Sequence, residues 1–316
     1  MPKFVLAADI GGTKIAAARV DASGKITHQV RAATPPEGGN AVINVLVELL
    51  RRLPQSGVCA LGVDVPGLVY PDESVWAPNI RGWARMPLRK ILGRSFDSDV
   101  LIESDRNACV TGEAWRGAAR GSSDVVFLAV GTGIGAGIIS GGRLLRGHAG
   151  LAGCAGWMAI HGQFLPEYQS IGCLEAHAAG PAIGSAARRE FKREMTAQEV
   201  VRLARQGDKK ARKILHQAGE DLGRGIANLV SILNPQVIVI GGGVAAAGEL
   251  LLAPARQAVK LWAQPLGGKQ ARIVRSRLGE RAALLGAAKL ALDQTDRPSP
   301  QRHRDTKRKR EAQSNQ

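Results

Sequence analysis

Two stretches of this 316-residue chain follow one plan, and that plan leaves few folds open. An apolar run, Phe4-Val-Leu-Ala-Ala8, meets the turn Asp9-Ile-Gly-Gly-Thr-Lys14 and returns through a second apolar run, Ile15 to Val20. Much later, Val125–Val130 enters Gly131-Thr-Gly-Ile-Gly135 and comes back through Ile134–Ile139. Short apolar runs punctuated by glycine read as buried strands joined by tight turns. The same unit used twice points to a duplicated α/β fold whose two lobes face one cleft. Glycines at such turns let backbone N–H groups close on an anionic ligand. In the first turn Asp9 has the chemistry to hold Mg²⁺, directly or through water, while Thr13 and Lys14 can meet phosphate oxygens. The pattern is one of phosphoryl chemistry.

The rest of the chain fills in the lobes. Strands are expected over 3–9, 14–20 and 25–33, joined by the glycine turn and by Asp21-Ala-Ser-Gly24. A helix at 41–53 precedes a buried strand at 58–65, which ends in Pro66-Gly67. A short strand at 100–103 leads into a helix at 105–118 with Asp105 at its start. In the second half, Thr196 and Glu199 form a capping box for a helix at 197–206. A long amphipathic helix over 208–233 stops at Asn234-Pro235. A strand at 237–240 then runs into a third glycine turn, Gly241-Gly-Gly243, before a helix at 249–263, a strand at 272–274 and a closing helix at 281–293. The expected division is a first lobe at 1–118 with the closing helix packed back on it, a second lobe at 119–280, and a tail at 294–316.

Charge and cysteine usage exclude little but bound the rest. The net charge of +16 is concentrated in part after Arg297, where Arg302, Arg304, Lys307, Arg308, Lys309 and Arg310 face only Asp305 and Glu311. That segment lacks apolar periodicity and reads as a disordered basic tail. It carries no interleaved aromatics for base stacking, so nucleic acid is not an expected partner. No apolar run reaches the roughly 18 residues of a membrane helix, and no signal peptide opens the chain, so a cytoplasmic protein is expected. Cys59, Cys109, Cys154 and Cys173 show no CxxC pairing and read as reduced thiols.

Five motifs in sequence order give the chain a resemblance to the ROK family of sugar kinases and sugar-responsive repressors. They are Asp9-Ile-Gly-Gly-Thr-Lys14, Glu103-Ser-Asp-Arg-Asn-Ala108, Gly131-Thr-Gly-Ile-Gly-Ala-Gly137, Gly172-Cys-Leu-Glu175 and Ile240-Gly-Gly-Gly-Val244, within about 3–292. The resemblance implies a two-lobed actin-like ATPase fold of ribonuclease H-like topology, with duplicated βββαβαβα lobes. It implies that Asp9, Gly11, Gly12, Thr13 and Lys14 hold ATP and Mg²⁺. Gly131, Thr132, Gly133 and Gly135 would close on the phosphates from the other lobe, and Gly241, Gly242 and Gly243 would lie beside the adenosine. Asp105 corresponds to the catalytic base that takes the proton of the sugar hydroxyl, although a helix N-cap is the ordinary role of such an Asp. Gly67, Asn79, Ser104, Cys154, Trp157 and Glu175 fall on the sugar side; Trp83 fits either that side or simple packing.

The chain departs from the family pattern at the substrate end. Kinases of the family carry Gly-Glu-x-Gly-His, whose Glu contacts sugar and whose His binds a structural zinc; here the stretch is Gly153-Cys-Ala-Gly-Trp157. The Cys-x-Cys-Gly element that should complete the zinc site is replaced by Pro166-Glu-Tyr-Gln-Ser170, and Ser104 stands where the kinases show Asn. Zinc is therefore not expected, since only Cys173 remains of the cysteine ligands. A substitute site from Cys154, Cys173, His148 and His161 competes with the commoner fate of buried free thiols. Losing a carboxylate and an imidazole from a sugar pocket removes hydrogen bonds of about 1–3 kcal/mol each. The expected activity is ATP-dependent phosphorylation of a hexose or hexose derivative, at the 6-hydroxyl, with altered specificity. The alternative is a non-catalytic sugar or nucleotide sensor without a DNA-binding domain. The resemblance also allows a homodimer.

Overall fold

The computed structural model describes residues 3–296; the basic tail expected from 294 onward lies outside that range except for its first three residues. The first half comprises β1 (Phe4–Ile10), β2 (Lys14–Asp21), β3 (Ile26–Ala33), α1 (Gly39–Arg51), β4 (Val58–Val65), β5 (Leu68–Val69), β6 (Val75–Trp76), α2 (Leu88–Ser95), β7 (Asp99–Ser104) and α3 (Asp105–Arg116). The second comprises β8 (Val125–Val130), β9 (Ile134–Ser140), β10 (Arg143–Leu144), α4 (Tyr168–Ile171), α5 (Cys173–Ala178), α6 (Gly180–Phe191), α7 (Ala197–Arg205), α8 (Lys209–Leu233), β11 (Val237–Gly241), α9 (Glu249–Trp262), α10 (Pro265–Gln270), β12 (Arg272–Arg275) and α11 (Arg281–Asp296). No helix among the described residues is long and apolar enough to cross a membrane.

The two five-stranded sheets have matching orders, β3-β2-β1-β4-β7 and β10-β9-β8-β11-β12. In each, the hairpin strands pair antiparallel and the two strands beyond them pair parallel. With the intervening helices this is a duplicated βββαβαβα plan. Parallel strands covered on both faces read as continuous apolar runs, which is why β1, β4, β8 and β11 stood out in the sequence.

Side-chain size decides what each face accepts. On β1, Leu6, Ala8 and Ile10 join Leu46, Leu50, Leu88 and Leu92 in one core. Val5 and Ala7 on the opposite face meet Ala18, Ala60, Leu284, Ala287 and Ala288. That second face is built from small residues because α11 lies close: a Cβ at Gly62 would stand 2.2 Å from the Ala287 carbonyl oxygen. The helices α3 and α11 cross just as closely, since a Cβ at Gly286 would stand 1.7 Å from the Ala108 carbonyl and one at Gly112 2.1 Å from that of Ala282. The final helix packs on β1 and β4, while α3 packs on β8 and β9, so the last helix of each half lies on the other half's sheet. This helix pair joins the two sheets.

Glu113 locks the crossing. It is fully buried and accepts hydrogen bonds from the Ala118 N–H at 2.6 Å, the Ser276 hydroxyl at 2.5 Å and the Leu278 N–H at 3.0 Å.

Two local readings need correction. The closing helix continues to Asp296, past the 293 boundary, because the polar residues Asp293, Gln294 and Thr295 still extend it; Lys289 pairs with Asp293 one turn on. The helices α2 and α6 were not read at all. Both are short or rich in glycine and arginine, so their apolar stripe is thin.

Candidate active site

The two hairpin turns and the start of α3 meet at one cleft. In the first turn, the Gly11 N–H donates to the Lys14 carbonyl at 2.8 Å, which leaves Gly12 and Thr13 at the tip. The Thr34 hydroxyl holds the Gly11 carbonyl at 2.7 Å. Asn79 lies against this turn: a Cβ at Gly12 would sit 3.5 Å from its Cβ. Lys14 Nζ pairs with Glu280 at 2.7 Å, in the loop just before α11.

The second turn is braced from behind. Gly131 N–H donates to the Gly133 carbonyl at 2.9 Å, and Gly180 N–H donates to the Gly131 carbonyl at 2.8 Å. Glu175 on α5 accepts from the Ile134 N–H at 2.7 Å, and its carboxylate fills the space a side chain on Gly133 or Gly156 would need. Half-burial raises the Glu175 pKa above its ordinary value. One oxygen of this carboxylate, Oε2, is thus held by the turn.

Beside that turn lies a cavity of about 810 Å³, lined by Gly131, Thr132, Gly180, Arg188, Met195 and Gly243 among others. It has the size of a nucleotide site, and its wall is formed by α7, expected from the sequence, and α6, which was not. Of the third glycine turn, only Gly243 reaches the cavity. A Cβ at Gly241 would strike the Phe127 ring at 2.2 Å, and Gly242, at φ 84°, would strike the Val130 carbonyl at 2.4 Å. Those two glycines serve close packing.

The acids gather where β1, β4 and β7 end. Asp9 and Asp64 are register partners on adjacent parallel strands. Asp64 is fully buried and both its oxygens lack a hydrogen-bond donor. Burial, reinforced by the charges of Asp9 and Asp105, pushes its carboxyl well above its ordinary value, and burial raises Asp9 as well. Asp105 is the first residue of α3, one past the cap position held by Ser104, and its Oδ1 accepts from the Arg106 N–H at 2.7 Å. Burial pushes its pKa up to about 6. Sequence reasoning missed Asp64, although a lone carboxylate inside Val58–Val65 was a signal that the strand ends at chemistry.

A second cavity, of about 230 Å³, adjoins this cluster and is lined by Tyr70, Glu103, Ser104, Asn107, Arg146 and Gly150 among others. Glu103 organises it. One oxygen accepts from the Ser104 N–H at 3.0 Å and the Asn107 amide at 2.9 Å, and the other from Arg146 at 2.7 and 2.8 Å. With its N–H₂ so committed, Asn107 presents an unpartnered Oδ1, and the Ser104 hydroxyl is likewise unpartnered. Buried polar groups without partners inside a cavity are what a hydroxyl-rich ligand satisfies.

The remaining sugar-side residues do not all converge there. Arg106 reaches from α3 to the 150–154 loop, with Nη2 3.1 Å from the Gly150 carbonyl and Nη1 3.7 Å from the Cys154 sulfur. Cys154 thus faces a guanidinium, and a side chain on Gly135 would touch the same arginine. Trp157 ends a short 3₁₀ turn and is 54% exposed. Gly67 is required by packing, since a Cβ there would stand 2.0 Å from the Trp76 carbonyl. Trp83 is core: it is buried and donates its indole N–H to the Gly39 carbonyl at 3.1 Å.

Comparison with known proteins agrees with this geometry. The model of the ROK family matches residues 5–294. A glucokinase of Thermotoga maritima is 32% identical over 310 residues, covering 92% of this chain and 98% of its own. A xylose repressor of Caldicellulosiruptor bescii is 31% identical over 79% of this chain and 67% of its own. Among solved structures, a ROK family glucokinase from Streptomyces griseus in complex with glucose and AMPPNP superposes with a TM-score of 0.77 at 31% identity, covering 92% of this chain and 99% of that one.

Proposed function

The chain belongs to the ROK family and has its two-lobed actin-like ATPase fold, and on that premise we propose that it is an ATP-dependent kinase acting on a hydroxyl of a hexose or hexose derivative. The observation that carries this reading is Asp105. It follows Ser104 at the start of α3, the helix that carries Asn107 into the 230 Å³ cavity, and its carboxyl is close enough to Asp9 to feel its charge. The Streptomyces griseus relative, solved with glucose and AMPPNP, supports a sugar acceptor and a nucleotide donor.

The steps follow from the residues. The nucleotide occupies the 810 Å³ cavity, with its phosphates toward the Gly131–Thr132 turn that lines it, where the Gly12–Thr13 turn would meet them from the other lobe. Backbone N–H groups there are fixed in place before reaction, which is the arrangement that stabilises phosphoryl transfer. Asp9 would hold Mg²⁺; a carboxylate beside a second buried acid with unpartnered oxygens suits a hard cation. When bound, the metal neutralises charge on the phosphate oxygens. The acceptor sits against Ser104 and Asn107. Asp105 takes the proton of its hydroxyl as the oxygen attacks the γ-phosphorus, the bond from that phosphorus to the bridging oxygen breaks, and ADP leaves. A base with a pKa near 6 is ionised at neutral pH yet basic enough to accept that proton.

Coupled ADP-release assays over a panel of hexoses, aminohexoses and N-acetylhexosamines test the proposal, with Asp105→Asn as control. Turnover that survives that substitution would remove Asp105 from the role. The repressor relative supports a second reading, a sugar or nucleotide sensor. Tight nucleotide binding without turnover on any sugar of the panel would favour it.

A further inference from the structure

Away from the cleft, three potential ligands from three different elements converge. His161 comes from the loop after the Trp157 turn, His177 from α5 and Asp221 from the middle of α8. One donor atom from each lies within 4.8 Å of the other two. His161 Nε2 is 3.3 Å from Asp221 Oδ1, His177 Nδ1 is 3.9 Å from Oδ2, and the two imidazole centroids are 4.2 Å apart. We propose that His161, His177 and Asp221 form a site for a divalent transition metal of the zinc class, which ties the 159–167 loop to α5 and α8.

The surroundings favour a ligand set over a chance cluster. Asp221 is 2% exposed, so its charge is fixed in the interior rather than solvated on a surface. His161 Nε2 is buried, faces that carboxylate, and has no hydrogen-bond partner. The other nitrogen of His177, Nε2, lies 2.7 Å from the Tyr168 hydroxyl. That contact holds the ring and leaves Nδ1 toward the acid, which is how an outer partner orients a metal-bound imidazole. Two imidazoles this close would repel if both were protonated, and a cation between them removes the conflict. Two nitrogens and one carboxylate suit zinc, cobalt or nickel with water completing the shell, and do not suit magnesium.

Asp221 also receives Arg224 at 2.7 Å on Oδ1 and Gln217 at 3.3 Å on Oδ2. A carboxylate has about four lone-pair sites, so these donors and a metal can share it. A separate cavity of about 370 Å³, lined by His177, Gln217 and Asp221 with residues of α6, gives the ion an entry route.

The test uses full-length protein purified without a metal-affinity tag, stripped by chelator and titrated with Co²⁺ and then Zn²⁺. The proposal expects one equivalent bound, with visible Co²⁺ ligand-field bands that Zn²⁺ displaces, and a rise in Tm on adding Zn²⁺. His161→Gln and Asp221→Asn should weaken binding at least about tenfold and abolish the Tm rise, while Cys154→Ser should bind as the unchanged protein does. If Asp221→Asn fails to fold, His161→Gln decides, because its ring is partly exposed. Absence of the Co²⁺ bands, or equal affinity in His161→Gln and the unchanged protein, overturns the site and leaves a hydrogen-bonded network only.

Discussion

Asp9 and Asp64 sit side by side on the β1–β4 ladder, in register, with Asp64 fully buried and holding no donor on either oxygen. Parallel pairing places both side chains on the same face of the sheet, so one acid suppresses ionisation of its neighbour. Burial first, and the neighbouring acids second, raise the folded-state pKa of Asp64 above its ordinary value of 3.8. A group with a raised folded pKa of this kind binds more protons when folded, so stability falls as pH rises above about 4. Asp64→Asn keeps the shape and removes the proton requirement. Urea unfolding at pH 3.5 and pH 8 should show the variant gaining stability relative to the unchanged protein at pH 8 and little at pH 3.5. An equal effect at both values would show that Asp64 is ionised in the fold.

The same sign governs Asp105, with a catalytic cost attached. Its carboxyl titrates at about 6 in the fold against 3.8 outside it, so ionisation at pH 8 costs at most about 3 kcal/mol of stability. Asp105→Asn should raise Tm at pH 8, with the gain vanishing near pH 4, and should lower kcat by about 10²–10⁴-fold. In the unchanged protein, kcat/KM should fall as pH drops through about 6. A variant that loses both activity and stability would point to a structural role instead.

How much of this was readable in advance follows from what carries the signal. The paired hairpins, the three glycine turns and Asp105 are local patterns, in which strand period and turn chemistry lie within a few residues of one another. The α3–α11 crossing is not of that kind. Its determinants, Gly112 and Gly286, are 174 residues apart in sequence, as their numbers give, and each is unremarked until the other helix is present. Glu175 illustrates a third case. The motif marked it as functional, but its committed partner, the Ile134 N–H, is a backbone group that no sequence pattern exposes. Asn107 was hidden likewise, because its free Oδ1 depends on Glu103 taking its amide.

Glu175 yields a discriminating pair of variants. Glu175→Gln retains an oxygen to accept from Ile134 and should leave nucleotide KM within about twofold, whereas Glu175→Ala removes the brace and leaves a buried N–H unpaired, worth about 1–3 kcal/mol. Nucleotide KM should then rise about tenfold in Glu175→Ala. If the two variants instead raise the sugar KM equally and spare the nucleotide, the carboxylate serves the acceptor.

Arg106 ties the start of α3 to the 150–154 loop, on the proposed acceptor side, through the Gly150 carbonyl and the Cys154 thiol. Its charge is felt by Asp105, the proposed base, and moderates its pKa, though less than burial raises it. Arg106→Ala removes the tie and the nearby positive charge together. The acceptor loop should loosen and the Asp105 pKa should climb further, so acceptor KM should rise about tenfold and the acid limb of the pH profile should move to higher pH. Arg106→Lys restores the charge without the two-pronged contact. It should return the pH limb while leaving acceptor KM high, because a single ammonium cannot span the carbonyl and the thiol. Kinetics at pH 6, 7 and 8 separate the two effects, and an Arg106→Lys variant that returns acceptor KM along with the pH limb would mean that the arginine acts through its charge alone.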